Sequence, residues 1–175
     1  MSEVSETHFG FKRITAANWQ RPDVPRLFEL TTPSNWIEAH LQPRLSPNVP
    51  QEIASLFEVA RGSMIYGWFF YPLITLGAEQ SYRVLEAALR KRCEQAGIQI
   101  KRLTKKGKMI DTRFAENIES LVRAGIIPVA DVPRWDIARI LRNLASHPDS
   151  QSIMTPGITI SLLSSVTDLL NSLYR

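Results

Sequence analysis

From residue 50 onward, apolar positions recur at helical spacing. Ile53, Leu56, Phe57, Ala60 and Met64 form one buried stripe, and Pro50 suits the first turn of the helix that carries it. The stripe runs into Ile65–Leu76, which is apolar nearly all round and so central to the fold, with Pro72 set to kink or break it. Leu76, Tyr82, Val84, Leu85, Ala88 and Leu89 continue the period until Arg90-Lys91-Arg92 and Gly97, which are stop signals. A helix over 73–96 would be about 36 Å long. Residues 98–110 carry no helical stripe, and Ile98, Ile100 and Leu103 suit at most a short extended piece. Asp111 reads as an N-cap for a helix burying Phe114, Ile118, Leu121 and Val122, which Gly125 and Pro128 close. The next helix starts near Asp131–Pro133, buries Trp135, Ala138, Leu141 and Leu144–Ala145, and ends at His147-Pro148. The last runs from Thr155-Pro156 to about Tyr174, burying Ile158, Leu162, Val166, Leu169 or Leu170, and Leu173. The pattern predicts an all-α bundle of about five helices.

The first fifty residues differ. They hold six of the eleven prolines, which remove donors and bias their predecessors away from helix. Two short helices are expected, around 24–30 and 35–41, the second capped by Ser34. Trp19, Phe28, Trp36 and Ile37 are too apolar for a free tail. The division is therefore a proline-rich arm over 1–50, packed on a helical body over 51–175.

Composition excludes several classes. With 44% hydrophobic and 22% charged residues, the 175-residue chain can build one core. Cys93 is the single cysteine, so no internal disulfide forms, and packing is its expected role. The opening MSEVSETHFGFKR lacks the design of a secretory signal. The most apolar stretch, Met64 to Ala78, is shorter than the ~20 residues of a membrane span. A cytoplasmic protein without membrane contact is expected. The glycines form neither a dinucleotide fingerprint nor a phosphate-cradling loop. His8, His40, Cys93 and His147 lack zinc spacing, so neither metal nor cofactor is expected. The net charge of +4 lies entirely in residues 98–125, seven bases against three acids. Five of those bases fall within 101–108, where Lys105, Lys106 and Lys108 suit a polyanion and serve equally as a solvated loop.

One stretch gathers chemistry-bearing side chains: Arg139, Arg142, Asn143, Ser146 and His147, along the end and exit of one helix. Arginine binds phosphate in bidentate fashion and stays charged, and histidine exchanges protons near neutral pH. Together they form a minimal kit for cleaving RNA without metal. A regular helix sets Arg142 and His147 about 140° apart, so they converge only if Pro148 diverts the chain or a two-fold axis brings two copies together. The same residues serve equally well to cap carbonyls or to pair with acids of a neighbouring helix.

Arg142-Asn143-Leu144-Ala145-Ser146-His147 matches the R-x4-6-H motif, and the chain here resembles the HEPN superfamily. The motif ends a late helix followed by one final helix. Ala60-Arg61-Gly62 through Leu89-Arg90 resembles bacterial HEPN-like and abortive-infection-like proteins. The resemblance covers about 50–175. It implies a homodimer whose two motifs meet in a cleft and a metal-independent endoribonuclease of bacterial defence or stress response, sometimes paired with an antitoxin. Arg142 would contact the scissile phosphate, His147 would act as general acid or base, and Asn143 would orient the RNA. Arg139, Lys105, Lys106 and Lys108 would bind substrate. Glu79 and Glu86, seven residues apart on one face, both suit the acidic residue that such sites add. Asp149 stands where some antitoxin-paired members carry tyrosine, an acid beside an RNA cleft. The runner-up reading is a non-catalytic module of that fold, binding RNA, a nucleotide or a protein partner. The aromatic run Trp68-Phe69-Phe70-Tyr71 suits the core, with a dimer interface as its next use, because four bulky neighbours cannot all face one core.

Overall fold

A computed structural model describes residues 11–23, 32–145 and 153–175. The expected helix at 24–30, along with His147, Asp149 and their neighbours at 146–152, lies outside the described residues. The described residues form six helices and one small hairpin: α1 (Pro33–Leu41), α2 (Gln51–Tyr66), α3 (Pro72–Gln95), β1 (Lys101–Leu103), β2 (Met109–Asp111), α4 (Phe114–Arg123), α5 (Val132–Ala145) and α6 (Pro156–Leu173), with a 3-10 turn at Val129–Asp131 before α5. The body is thus mostly helical, and α2 to α6 supply its five helices.

The proline positions explain the breaks. Pro72 sits at N1 of α3, where a missing N–H costs nothing. It therefore separates two helices instead of kinking one. Pro50 is the N-cap of α2. Thr32, not Ser34, caps α1, accepting a bond from the Asn35 N–H at 3.2 Å. Asp111 does not cap α4. It closes β2 opposite Lys101, and Arg113 holds the N-cap position.

α3 is the central element and packs against α2, α4, α5 and α6. Its inner residues, among them Val84, Leu85, Ala88 and Leu89, meet Ile53, Phe57, Leu121, Trp135, Leu163 and Leu170 in one apolar core. Each such side chain contributes about 1.5–3 kcal/mol by leaving water. α5 and α6 both lie on α3 and barely touch each other. Four side chains expected inside the bundle stand outside it: Leu144 is 67% exposed, Ile158 57%, Leu76 49% and Leu56 36%. All four lie on helices, but none of the described elements covers them.

A second cluster joins the arm to the body. Phe11 and Trp36 bury themselves against Trp68, Tyr71 and Ile74. Buried Asp23 accepts the Tyr71 N–H at 3.1 Å, and the Trp36 indole donates to the Ile65 carbonyl at 2.8 Å. The aromatic run is thus largely spent within the chain: Trp68 and Tyr71 are buried, and Phe69 and Phe70 half-buried. Trp19 of the arm, by contrast, stays exposed.

The candidate cleft at the end of helix α5

Three stripes divide α5. Trp135 and Ala138 face inward. Arg142, seven residues after Trp135 and four after Ala138, continues that inward stripe by helical geometry. Arg139 and Asn143 flank it, while Ile137, Ile140 and Leu144 lie on an exposed side. A charged side chain thus takes the place where the packing pattern asks for an apolar one.

The charge is met from α3. Glu86 Oε2 accepts from Arg142 Nη2 at 2.9 Å and from Nε at 3.1 Å. Two bonds to one carboxylate oxygen fix the guanidinium at the junction of the two helices. The pair is about one-third exposed, so it contributes on the order of 1 kcal/mol or less to stability. Its main effect is positional.

Arg142, Glu86, Arg139 and Asn143 line a cleft of about 490 Å³ together with Thr112, Arg113, Phe114 and Ala115. The far wall is the start of α4. Thr112 is fixed there: its N–H donates to the Ile100 carbonyl at 2.9 Å, and its hydroxyl reaches the buried Asn117 Oδ1 at 2.6 Å. The Arg113 N–H donates to Glu116 Oε2 at 2.7 Å, which closes the first turn. Phe114 turns inward against Trp135, ring centroids 6.5 Å apart. Three guanidinium groups and one carboxylate therefore border the cleft. Arg139 is partly engaged by Asp136 at 3.1 Å. Such a constellation can hold an anion with planar, bidentate recognition.

Of the residues singled out in the sequence, Arg139, Arg142, Asn143 and Glu86 come together here. Glu79 does not: it sits two turns earlier on α3, about 10 Å away along the helix axis. His147 lies outside the described residues, two positions beyond the end of α5. Lys105, Lys106 and Lys108 do not line the cleft. They are exposed at the tip of the β1–β2 hairpin, whose turn is closed by the Gly107 N–H on the Thr104 carbonyl. From Lys108 to Thr112 the strand rises about 13 Å, so the hairpin stem meets the cleft and its tip stands away. Arg90–Asp111 at 2.9 Å and Arg102–Glu116 at 3.2 Å tie that stem to α3 and α4.

Arg113 went unremarked as a site residue in the sequence, because the capping signal pointed at Asp111. The available signal was its place within the basic segment, directly before the stripe of α4. Cys93 is buried, and burial pushes its thiol up from the ordinary range, the state of an inert packing residue. Among the described residues, no three of His, Cys, Asp and Glu stand close enough to hold a metal ion, and no helix is long and apolar enough to cross a membrane.

A second concavity lies on the other side of α5. It measures about 340 Å³, opens between α5 and α6, and is floored by Tyr82 and Leu85 of α3. Its walls include Ile137, Leu141, Ile158 and Leu162. Arg134 and Asp168 approach to 3.4 Å across the gap between the two helices.

No protein-family model, curated protein or solved structure matches the chain.

Proposed function

We propose that the chain is a HEPN-like, metal-independent endoribonuclease acting as a homodimer, with Arg142 and His147 as its working pair. The observation that carries this reading is the Arg142–Glu86 pair: an arginine on the inward stripe of α5, held by a carboxylate of α3, at the wall of a cleft that also receives Arg139, Asn143 and Arg113.

The chemistry follows from the residue types. His147 takes the proton of a ribose 2′-OH. O2′ attacks the neighbouring phosphorus, the bond to O5′ breaks, and a proton returns to O5′. The products are a 2′,3′-cyclic phosphate and a 5′-hydroxyl. Arg142 offsets the charge that grows on the non-bridging oxygens, and Glu86 sets the plane in which it does so. Asn143 orients the strand. A nuclease of this kind fits bacterial defence or stress response, where an antitoxin-like partner would restrain it.

Incubation with single-stranded RNA in EDTA tests the reading. Cleavage should proceed and leave cyclic phosphate ends. His147→Ala should lower the single-turnover rate by roughly 10²–10⁴-fold with little change in affinity, while Arg142→Ala should harm both rate and affinity. A folded His147→Ala protein that cuts at the wild-type rate would end the proposal.

The second reading, a non-catalytic helical module, draws on the apolar concavity between α5 and α6. A module of that kind grips a protein partner there, binds RNA or nucleotide at most without cutting it, and shows no cleavage with any RNA.

A further inference from the structure

Arg113 is placed against local preference. The N-cap of a helix favours Ser, Thr, Asp or Asn, and the positive end of the helix dipole disfavours a cation. At the start of α4 a guanidinium nevertheless sits in the N-cap position, exposed, at the wall of the 490 Å³ cleft. The other two arginines of the cleft have carboxylate partners, Glu86 for Arg142 and Asp136 for Arg139. Arg113 takes part in no ion pair among the described residues. Departures from local preference concentrate where function needs them.

The cleft also offers little to a base. Phe114 is its only aromatic lining residue, and that ring is 7% exposed and turned toward Trp135. Among the described residues, no open aromatic face for stacking lines the cleft. Apart from the Ala115 methyl, its remaining lining is guanidinium, amide, hydroxyl and carboxylate. The volume lies within the range of about 300–1,000 Å³ typical of small-molecule sites, enough for a nucleotide-sized group beyond the one at Arg142.

Resting on the reading of this cleft as an RNA site, we infer that Arg113, with Arg139, binds a second phosphate of the same strand, next to the one at Arg142, so that the site recognises consecutive backbone phosphates of single-stranded RNA irrespective of base. A cation with no ion-pair partner among the described residues gains most from an incoming phosphate, because none of their carboxylates has to be displaced first. Two phosphate contacts from opposite walls of the cleft also fix the direction of the strand across Arg142.

The test uses the full chain and uncleavable 2′-O-methyl decamers of uridine and of adenosine, with affinity followed by fluorescence anisotropy across a salt series. Wild type should bind both decamers within about threefold of each other. Arg113→Gln should weaken both equally and reduce the slope of log K against log salt by about 0.7, the loss of one single-strand phosphate contact. Arg113→Asp is the control for folding: aspartate is a better N-cap, so this variant should melt no lower than wild type yet bind more weakly than Arg113→Gln. An unchanged slope in Arg113→Gln, or a strong preference for one base, overturns the subsite. If that happens while wild type still cleaves RNA in EDTA, the nuclease reading survives without it. If Arg113→Gln binds as predicted but no RNA is ever cut, the subsite stands and the nuclease reading falls.

Discussion

His40 occupies the least accommodating place in the molecule for a titratable side chain. It is fully buried, its ring packs tilted at 43° against Trp36 with centroids 4.6 Å apart, and its Nδ1 donates to the Trp36 carbonyl at 2.7 Å. Among the described residues, Nε2 has no hydrogen-bond partner. Burial lowers its pKa from the ordinary histidine value, the carbonyl bond opposes that shift, and the positive charge of Arg61 adds to it. The sign of the pH effect follows. Above about pH 6.5 the ring is neutral in both folded and unfolded chains, and stability is at its full value. As the pH falls below 6.5 the unfolded chain takes up a proton that the folded chain refuses, so stability is lost. Urea titrations between pH 8 and pH 5 should show a decline that begins near 6.5 and steepens to at most about 1.4 kcal/mol per pH unit. His40→Gln should remove most of it. A decline of the same size in the variant would assign the effect to other groups. Nothing in the sequence marked His40, because burial of one ring by an arm helix is a tertiary fact. Glu86 and Glu79 were equally undecidable: seven residues apart, they share a helix face, and only the crossing of α5 over α3 selects Glu86.

At the scale of elements, the α2–α3 pair holds the bundle together, and two glycines report how closely it packs. Gly77 of α3 lies against α2 so tightly that an added Cβ would stand 2.6 Å from Met64 Cγ and 2.7 Å from the Ala60 carbonyl oxygen. Gly62 of α2 has nothing within 4 Å of such a Cβ. The two substitutions to alanine should therefore move stability in opposite directions. Gly62→Ala gains about 0.5–1 kcal/mol from backbone entropy. Gly77→Ala gains the same propensity term, and overpacking, which costs about 1–3 kcal/mol, outweighs it. In thermal melts the first should raise Tm by a few degrees and the second lower it, at about 2–4 °C per kcal/mol for a domain of this size. A Gly77→Ala protein that melts above wild type would show that α2 and α3 are not in close contact there. Helix positions were legible in the sequence because stripes, glycine stops and prolines agree from α2 to α6. The hairpin was not. Its strands have three residues each, too few for alternation to register, and their pairing depends on a turn that Gly107 makes possible with φ of 75°. Because that hairpin takes Asp111 as its last residue, the N-cap of α4 lies two positions further on, at Arg113.

For the whole molecule, the open question is what covers the far side of α5. Ile137 at 58% exposure, Ile140 and Leu144 form a ridge spaced one helical turn apart, and the apolar gap between α5 and α6 lies beside it. Scattered exposed apolar residues need no explanation, but a continuous ridge next to a continuous groove does. The proposed homodimer gives one. A two-fold axis presents the same patch to itself, so each copy needs both a ridge and a groove, and both are present on one face. The rim carries both signs of charge, Arg134 and Asp168, so two copies related by the axis can exchange ion pairs across it. The aromatic run Trp68–Tyr71 is mostly spent inside the chain, which moves the expected contact from those residues to α5 and α6. For the proposed nuclease, the ends of the two α5 helices would then have to meet near that axis for the paired motifs to share substrate. Light scattering at tens of micromolar should give about twice the 19.9 kDa chain mass. Ile137→Lys combined with Leu144→Lys should give the single chain mass, retain the helical circular dichroism of wild type because neither side chain is in the core, and lose RNA cleavage together with dimerisation. A wild-type protein that stays monomeric while cutting RNA would mean that one cleft suffices, and the ridge would then have to serve a different partner.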